Sequence, residues 1–457
     1  MRVLLFIVLS LFCTPTLFAD NYQKAWDALA KNDRTAAREF LEKALNEPEH
    51  AADAALTLVL LETFDGNEKV AADAWQKALA ALKDPYPYYF PLWFHDAVAG
   101  DYGQKNTRQE KMLEKLIDDP NCPGIYKAAA QYAMGHHYLS ESKFKDMRAA
   151  WNSTTNMTQW QFAGPFDNLS GSGFDKNYGP IAHPEPGAVF KSTYDADIQW
   201  FKPETYVVEG WIPTIYYVRY STGVVFAQTF VTAPSDMDAV LALGFTGNIR
   251  VWVNDQLLIS EQEYLKTEYD VFKTKCRLQK GNNRVLVQIG FEDQDYPNFN
   301  LRFIDERSNL IPGLTSSAVY TPYTKGTAKK EPMIPFFPET FFEQKIKNEP
   351  DNLLNYMLLA KTYLRSNKNQ EANSVILKAL EKAPDNSILH MEYISILSQT
   401  ENRTELTREL QHVKETDPNC PASYVIRFQE NMKSEQYDAA EKEASEYERT
   451  FGFDENL

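Results

Sequence analysis

Cysteine is scarce in this chain: 4 among 457 residues, at positions 13, 122, 276 and 420. Cys13 lies inside the apolar amino-terminal segment, and the three that remain are an odd number spread far apart. That excludes a disulfide framework as the basis of the fold. Long apolar runs are also missing. After the run Val3 to Phe12, no stretch reaches the roughly 18 to 20 apolar residues that a membrane-spanning helix needs. Positive charge is in deficit too, with 47 Lys and Arg against 63 Asp and Glu and a net charge of −16. Such a surface repels phosphate backbones and anionic headgroups, so nucleic acid and membrane surfaces are poor partners. The patterns that carry common chemistries are absent as well: no phosphate loop, no nucleophile–base–acid triad, no paired metal-ligand spacing.

The first residues are Met1-Arg2, the apolar run, and then Cys13-Thr14-Pro15-Thr16-Leu17-Phe18-Ala19-Asp20. A basic start, about ten apolar residues and a small residue before a polar one describe a secretory signal peptide. Cleavage is expected after Ala19, giving an exported periplasmic, secreted or cell-surface protein. Lipidation at Cys13 is the rival reading, and bulky Phe12 directly before it fits that processing poorly. Loss of Arg2 with the signal leaves 46 basic against 63 acidic residues, a net charge of −17.

Two helical stretches flank a segment of different texture. In the last third, Pro350, Pro384 and Pro418 are spaced 34 residues apart, in Glu-Pro-Asp-Asn, Ala-Pro-Asp-Asn and Asp-Pro-Asn contexts. The first of these units reads Tyr356-x2-Leu359-Ala360-x2-Tyr363, then Ala372-x3-Ile376, Ala379 and Pro384. Small residues allow two helices to approach, and aromatics fill the space between turns at helical spacing. This pattern resembles the tetratricopeptide repeat, a pair of antiparallel helices closed by a proline. His390, Tyr393, Ile394 and Leu397 carry a second unit, with Leu406 where a small residue is usual; Tyr424, Phe428, Tyr437 and Ala440 carry a third. No polar capping helix is evident, which implies cover from a partner, a second copy or a further domain. The amino-terminal third resembles a degenerate form of the same array, with prolines at 48, 85 and 120 and helical runs over 36–45 and 71–82. The pentapeptide Asp-Pro-Asn-Cys-Pro occurs at 119–123 and 417–421, each time before a helix, at 125–138 and at 422–432. Both read as interhelical turns in which the cysteine has few packed neighbours.

From Trp160 to about Tyr323 the chain is rich in aromatic and β-branched residues punctuated by Gly and Pro, the texture of short strands in a sandwich. In Gly244-Phe-Thr-Gly-Asn-Ile-Arg-Val-Trp-Val-Asn-Asp-Gln-Leu-Leu258, the residues Ile249, Val251 and Val253 alternate toward one face. Asn254-Asp255 tolerates positive φ at both positions, which predicts a tight hairpin. Residues 276–289 read as strand, turn, strand, and 299–303 as a closing strand. These phrases resemble the galactose-binding-like jelly roll, through a Val-x-Val-Asn strand end and the later Leu278, Gly281, Asn283, Val285 and Val287. At the domain entry stand Gly164-Pro-Phe-Asp-Asn168 and Gly171-Ser-Gly-Phe-Asp175. Together with the repeats they resemble the noncatalytic amino-terminal part of large exported bacterial proteins that continue into a transglutaminase-like domain. The expected organisation is a signal at 1–19, degenerate helical repeats at 20–155, the sandwich at 158–325, a Pro-rich linker at 326–338 and a helical repeat array at 339–457. In fold class this is a multidomain α and β protein, helical-repeat arrays flanking a β-sandwich, the arrays being separate arms.

Candidate chemistry is thin. Cys276 alternates with Phe272 and Leu278 onto the apolar face, where a thiol is inert core. His136-His137 fails as a metal pair because neighbouring helical positions diverge by about 100° and no suitable partner is read at i+4. Acidic loops at Asp167, Asp175 and Glu292-Asp293-Gln294-Asp295 are candidates for a structural calcium, with Asp293 and Asp295 as ligands, or are simply solvated. Arg250 and Trp252 lie opposite the apolar face of their strand, with Trp200 and Trp211 nearby in sequence. They are candidate sugar-binding residues, or packing residues. No catalytic residue or organic cofactor is assigned. The leading expectation is an exported, noncatalytic interaction or scaffold protein that binds a protein or peptide through its helical repeats. A carbohydrate-binding role for the sandwich, or an accessory role to a transglutaminase-like enzyme, is the alternative.

Overall fold

The chain is built of α-helices and one curled antiparallel sheet, seen in a computed structural model that describes residues 20–92, 107–204, 208–218, 222–292, 296–326, 331–400 and 402–452. The expected signal at 1–19 with Cys13, and the acidic residues Asp293 and Asp295, lie outside the described residues. The chain divides into two units that do not follow chain order: Met1–Leu82 with Leu380–Met391 and Thr407–Leu457, and Lys83–Ala379 with Glu392–Leu406.

In the first unit, helices α1 (Asn21–Leu29) and α2 (Arg34–Ala44) form one hairpin, and α3 (Ala51–Phe64) and α4 (Glu68–Ala81) another. Asp20 and Asp33 cap α1 and α2, their carboxylates accepting from Gln23 N at 2.7 Å and Ala36 N at 3.0 Å, which satisfies backbone donors that the helix leaves unpaired. Ala25, Ala37, Ala44, Ala54, Ala55, Ala71 and Ala78 are fully buried, so the helices pack through small side chains. Helix α3 is apolar on nearly every side, and its residues Ala54 to Leu61 are buried as a run. A helix of that kind is covered all round by neighbours. The same unit contains the carboxy-terminal hairpin.

The second unit opens with helices α5 (Tyr86–Leu92), α6 (Thr107–Asp118), α7 (Gly124–Ser140) and α8 (Phe144–Ser153). Gly135 makes the close crossing of α7 and α8 possible, since a Cβ there would lie 2.0 Å from the Trp151 indole. The sheet follows: β1 (Gln161–Phe166), β4 (Ile212–Pro213), β5 (Thr222–Ala233), β6 (Met237–Val253), β7 (Gln256–Lys266), β8 (Phe272–Leu278), β9 (Gly281–Glu292), β10 (Asn298–Ile304) and β11 (Thr315–Ser317). The main path runs β1-β5-β9-β6-β10-β4, with β7 and β8 also on β6 and β11 on β5. A separate two-stranded ribbon joins β2 (Val189–Lys191) to β3 (Asp197–Gln199), and a single-turn helix α9 spans Gly179–Ala182. Strand β6 serves four neighbours by exchanging them midway: β8 and β10 flank its first half, β7 and β9 its second. The exchange happens beside Gly247, whose φ is +128° and where a Cβ would meet Gly290 O at 2.7 Å.

Alternation sorts the strands onto two cores. Val225, Ala227, Leu241, Leu243, Val251, Val287, Ile289 and Leu301 belong to the larger one, inside the curl. Their neighbours Val224, Phe226, Trp252 and Leu286 belong to the smaller, closed by Phe166, Phe174, Phe190 and Trp200 from the segment that crosses the other face. The β6–β7 hairpin turns at Asn254 and Asp255, with φ of +51° and +65°. Buried Arg302 ties the sheet to the helices: its guanidinium donates to Asp270, to Thr154 O at 3.1 Å and to Gly124 O at 3.0 Å.

Helices α10 (Phe337–Asn348), α11 (Leu353–Arg365), α12 (Asn369–Leu380), α13 (Ser387–Ser398), α14 (Arg403–Thr416), α15 (Pro421–Lys433) and α16 (Tyr437–Phe451) complete the chain. Within the second unit α5 packs on α10, with Tyr88 edge-on to Phe341 and Phe342 at 5.5 and 5.3 Å. The expectation of separate flanking arms is corrected here, because early and late helices share a unit in both cases. Proline spacing reports which helices are neighbours along the chain and carries no information about pairs hundreds of residues apart.

Cys122 and Cys420 precede α7 and α15 as the pentapeptides predict, and all three described cysteines are free. Their expected lack of packed neighbours is corrected: Cys122 is 6% and Cys420 0% exposed. The Cys420 sulfur turns inward and lies 3.3 Å from Ser423 Oγ. Burial raises the thiol of Cys122 to about 12. Cys420→Asn, which adds atoms to a filled site, is therefore expected to cost ~1–3 kcal/mol, whereas Cys420→Ser keeps the volume and a hydroxyl partner and costs ~1 kcal/mol. Thermal melts of the two variants check this, and an Asn variant that melts with the wild type refutes it. Reductant leaves the wild-type melt unchanged.

Candidate functional site

A cavity of about 290 Å³ opens in the first unit, lined by Asn32, Arg34, Thr35, Arg38, Asp65, Asn419 and Thr450 among others. The α1–α2 turn supplies one wall because Asn32 adopts φ +56°, a left-handed conformation that Asn tolerates. That places its side chain to accept from Ser387 N at 2.9 Å and donate to Asp385 O at 2.7 Å. Two residues on, Arg34 Nε contacts Asp65 Oδ1 at 3.1 Å, and its Nη1 pairs with Asp417. Arg38 Nε donates to Glu62 Oε1 at 2.6 Å, and its Nη2 pairs with Asp65. Ser387 Oγ donates to Asp417 Oδ2 at 2.7 Å. Burial raises the Asp65 carboxyl above the usual range, against the pull of Arg34 and Arg38. The floor is thus a fixed network of alternating charges, while Thr35, Asn419 and Thr450 are exposed at the rim. Such a site offers hydrogen bonds and local dipoles.

Of the residues proposed for sugar binding, Trp200 and Trp252 are packing residues. Trp200 is 6% and Trp252 7% exposed, both in the smaller core of the sheet. Trp200 Nε1 donates to His183 O at 2.8 Å. Trp211 is half-buried, edge-on to Tyr269 at 5.1 Å, away from that pair. Arg250 stacks 4.5 Å over Phe174, donates to Phe174 O at 2.8 Å and pairs with Asp175. Rings closed in by a covering segment present no face to a ligand, so for Trp200 and Trp252 the aromatic platform is corrected to a second core. Among the acidic loops, Asp167 is held below the usual carboxylate range by Lys176, 3.1 Å away, and Asp175 is engaged by Arg250. The motif at 164–175 earns its place structurally: Phe166 and Phe174 fill the smaller core and the Phe174 carbonyl receives both Arg250 and Gln288. Cys276 is 4% exposed in the larger core, its thiol pushed up to about 12 by burial.

One grouping escaped the sequence reading. Contrary to the expectation of no suitable partner at i+4, His137 has Glu141 there and meets Glu110 of α6. The His-x3-Glu spacing was the readable signal, while Glu110 lies in a different helix.

Against known proteins, no family model matches the chain and no curated protein matches it. Solved structures of β-glucosidase from Kluyveromyces marxianus align at a TM-score of 0.21: the glucose complex at 13% identity and the selenomethionine form at 12%, each over 50% of this chain and 24% of that one. A likeness this slight carries no argument about fold or function.

Proposed function

We propose that the chain is a noncatalytic, exported binding protein, with helical repeats of tetratricopeptide type around a galactose-binding-like jelly roll, that takes a protein or peptide segment in the cavity of its first unit. The observation that carries the reading is that cavity, whose floor of paired charges and exposed rim of Thr35, Asn419 and Thr450 suit main-chain and polar side-chain groups of a peptide. The 34-residue proline spacing over α11 to α15 and the Asn254-Asp255 hairpin support the two fold assignments. Burial of all three described thiols argues against a cysteine nucleophile.

The test is a selection of displayed peptides on the full chain, followed by affinity measurement on Thr450→Trp, which fills the cavity from an exposed helical position and leaves the ion-pairing residues themselves unchanged. Selected peptides are expected to lose at least ~10-fold in affinity, ~1.4 kcal/mol. No selected peptide, or equal binding to the variant, overturns the proposal. Hydrolase, peptidase or transglutaminase turnover abolished by Cys122→Ser or Cys276→Ser overturns the noncatalytic part.

A further inference from the structure

Helix α6 contributes Glu110 from its first turn, and α7 contributes His137 from its last, followed by Glu141 at the helix end. A spacing of four residues sets His137 and Glu141 on one face of α7, and the α6–α7 pairing brings Glu110 to the same point. His137 is 8% exposed. Its Nε2 lies against Glu110 Oε1 and 3.7 Å from Glu141 Oε2, yet is buried without a hydrogen bond of usable geometry. The imidazole nitrogen and one oxygen from each carboxylate all fall within 4.8 Å of one another. Lys143 also faces this cluster, its Nζ contacting Glu141 Oε2 at 2.5 Å.

We propose that Glu110, His137 and Glu141 bind a divalent transition metal of the Zn²⁺ class. Zinc holds imidazole nitrogen and carboxylate oxygen at ~2.0–2.2 Å, which in tetrahedral geometry separates ligand atoms by ~3.3–3.6 Å; a carboxylate rotation reaches that from the observed positions. The donor set argues against calcium, which takes six to eight oxygens, and an imidazole with two carboxylates suits the zinc group of metals. The two carboxylates bring two negative charges beside a buried ring nitrogen, the charge that a dication neutralises. The ion would brace α6 to α7 and keep a fourth position for water or an incoming side chain.

The test uses the full chain, stripped with chelator and titrated with Zn²⁺ by calorimetry and with Co²⁺ by visible absorption. One equivalent of Zn²⁺ is expected to bind at ~10 µM or tighter, with Co²⁺ giving the intense d–d bands of a four- or five-coordinate site. Affinity is expected to drop at least ~30-fold, ~2 kcal/mol, in Glu110→Gln and in Glu141→Gln, whose shapes are conserved, and to be unchanged in His183→Asn, an exposed histidine of the same unit. Absence of stoichiometric binding, or binding that survives both glutamine variants, overturns the proposal and leaves an ordinary His–Glu ion pair.

Discussion

Arg302→Met is expected to remove about 3–5 kcal/mol of stability from the second unit, the cost typical of stranding one member of a buried ion pair. Arg302 and Asp270 side chains are 2% and 1% exposed, and the same guanidinium satisfies the carbonyls of Gly124 and Thr154. Removing it leaves a carboxylate and two acceptors dry at once, and cuts the polar tie between β10 and the ends of α7 and α8. Asp270 has φ +53°, so asparagine is the fitting neutral replacement. The double variant Arg302→Met/Asp270→Asn removes both charges and is expected to recover at least half of the loss. Urea midpoints followed by tryptophan emission include this unit, since Trp160, Trp200 and Trp252 are buried in its sheet, and hydrogen exchange of β10 separates it from the first unit, which holds Trp26 and Trp75. An Arg302→Met midpoint within ~0.5 kcal/mol of wild type, the scatter of ordinary surface changes, would refute the latch.

The sheet was legible in the sequence where its rules are local. The Ile249, Val251, Val253 alternation and the Asn254-Asp255 turn need only a strand of period two and two residues tolerant of positive φ. What alternation cannot reveal is whether the second face is wet or covered. Trp252 and Trp200 therefore read as a platform, and the structure makes them a core because the segment from Phe166 to Trp200 crosses that face. Arg250 shows the same ambiguity: an arginine opposite an apolar stripe fits solvent or a ligand equally well, and here it clamps the Phe174 carbonyl.

The helices show a different limit. Periodicity locates helices, and both Asp-Pro-Asn-Cys-Pro segments do precede helices, but a turn does not entail exposure. Cys420 is buried because helix entry points its side chain inward, next to Ser423. His137 and Glu141 were within reach of a helical-face argument; Glu110, 27 residues earlier, needed the α6–α7 pairing. The candidate cavity was out of reach altogether, since Arg34 and Asp417 stand 383 residues apart.

That contact sets the last expectation. Arg34→Ala should cost the first unit ~2–3 kcal/mol, less than a fully buried pair because its side chain keeps 14% exposure and solvent screens part of the interaction. The deficit should also depend on pH. Asp65 is raised in the folded state by burial, with Arg34 the strongest influence holding it down. A carboxyl with a raised folded value binds its proton more tightly when folded, so its contribution to stability is greatest at low pH and is lost as pH climbs through the raised value. Deleting Arg34 raises Asp65 further and leaves Asp417 with the Ser387 hydroxyl but no cation. The gap between variant and wild type should therefore widen with rising pH above the usual carboxylate range of ~4 and close as the pH falls toward it. Asp417→Asn in the Arg34→Ala background removes one stranded charge and should restore part of the loss near neutrality. Denaturation midpoints across that pH range, with hydrogen exchange of α1–α2 and α15 as a local readout, decide the matter. A pH-independent gap would mean that Arg34 acts through packing on Phe64, 5.6 Å below its guanidinium, and that the charges lining the cavity do not hold the two ends of the chain together.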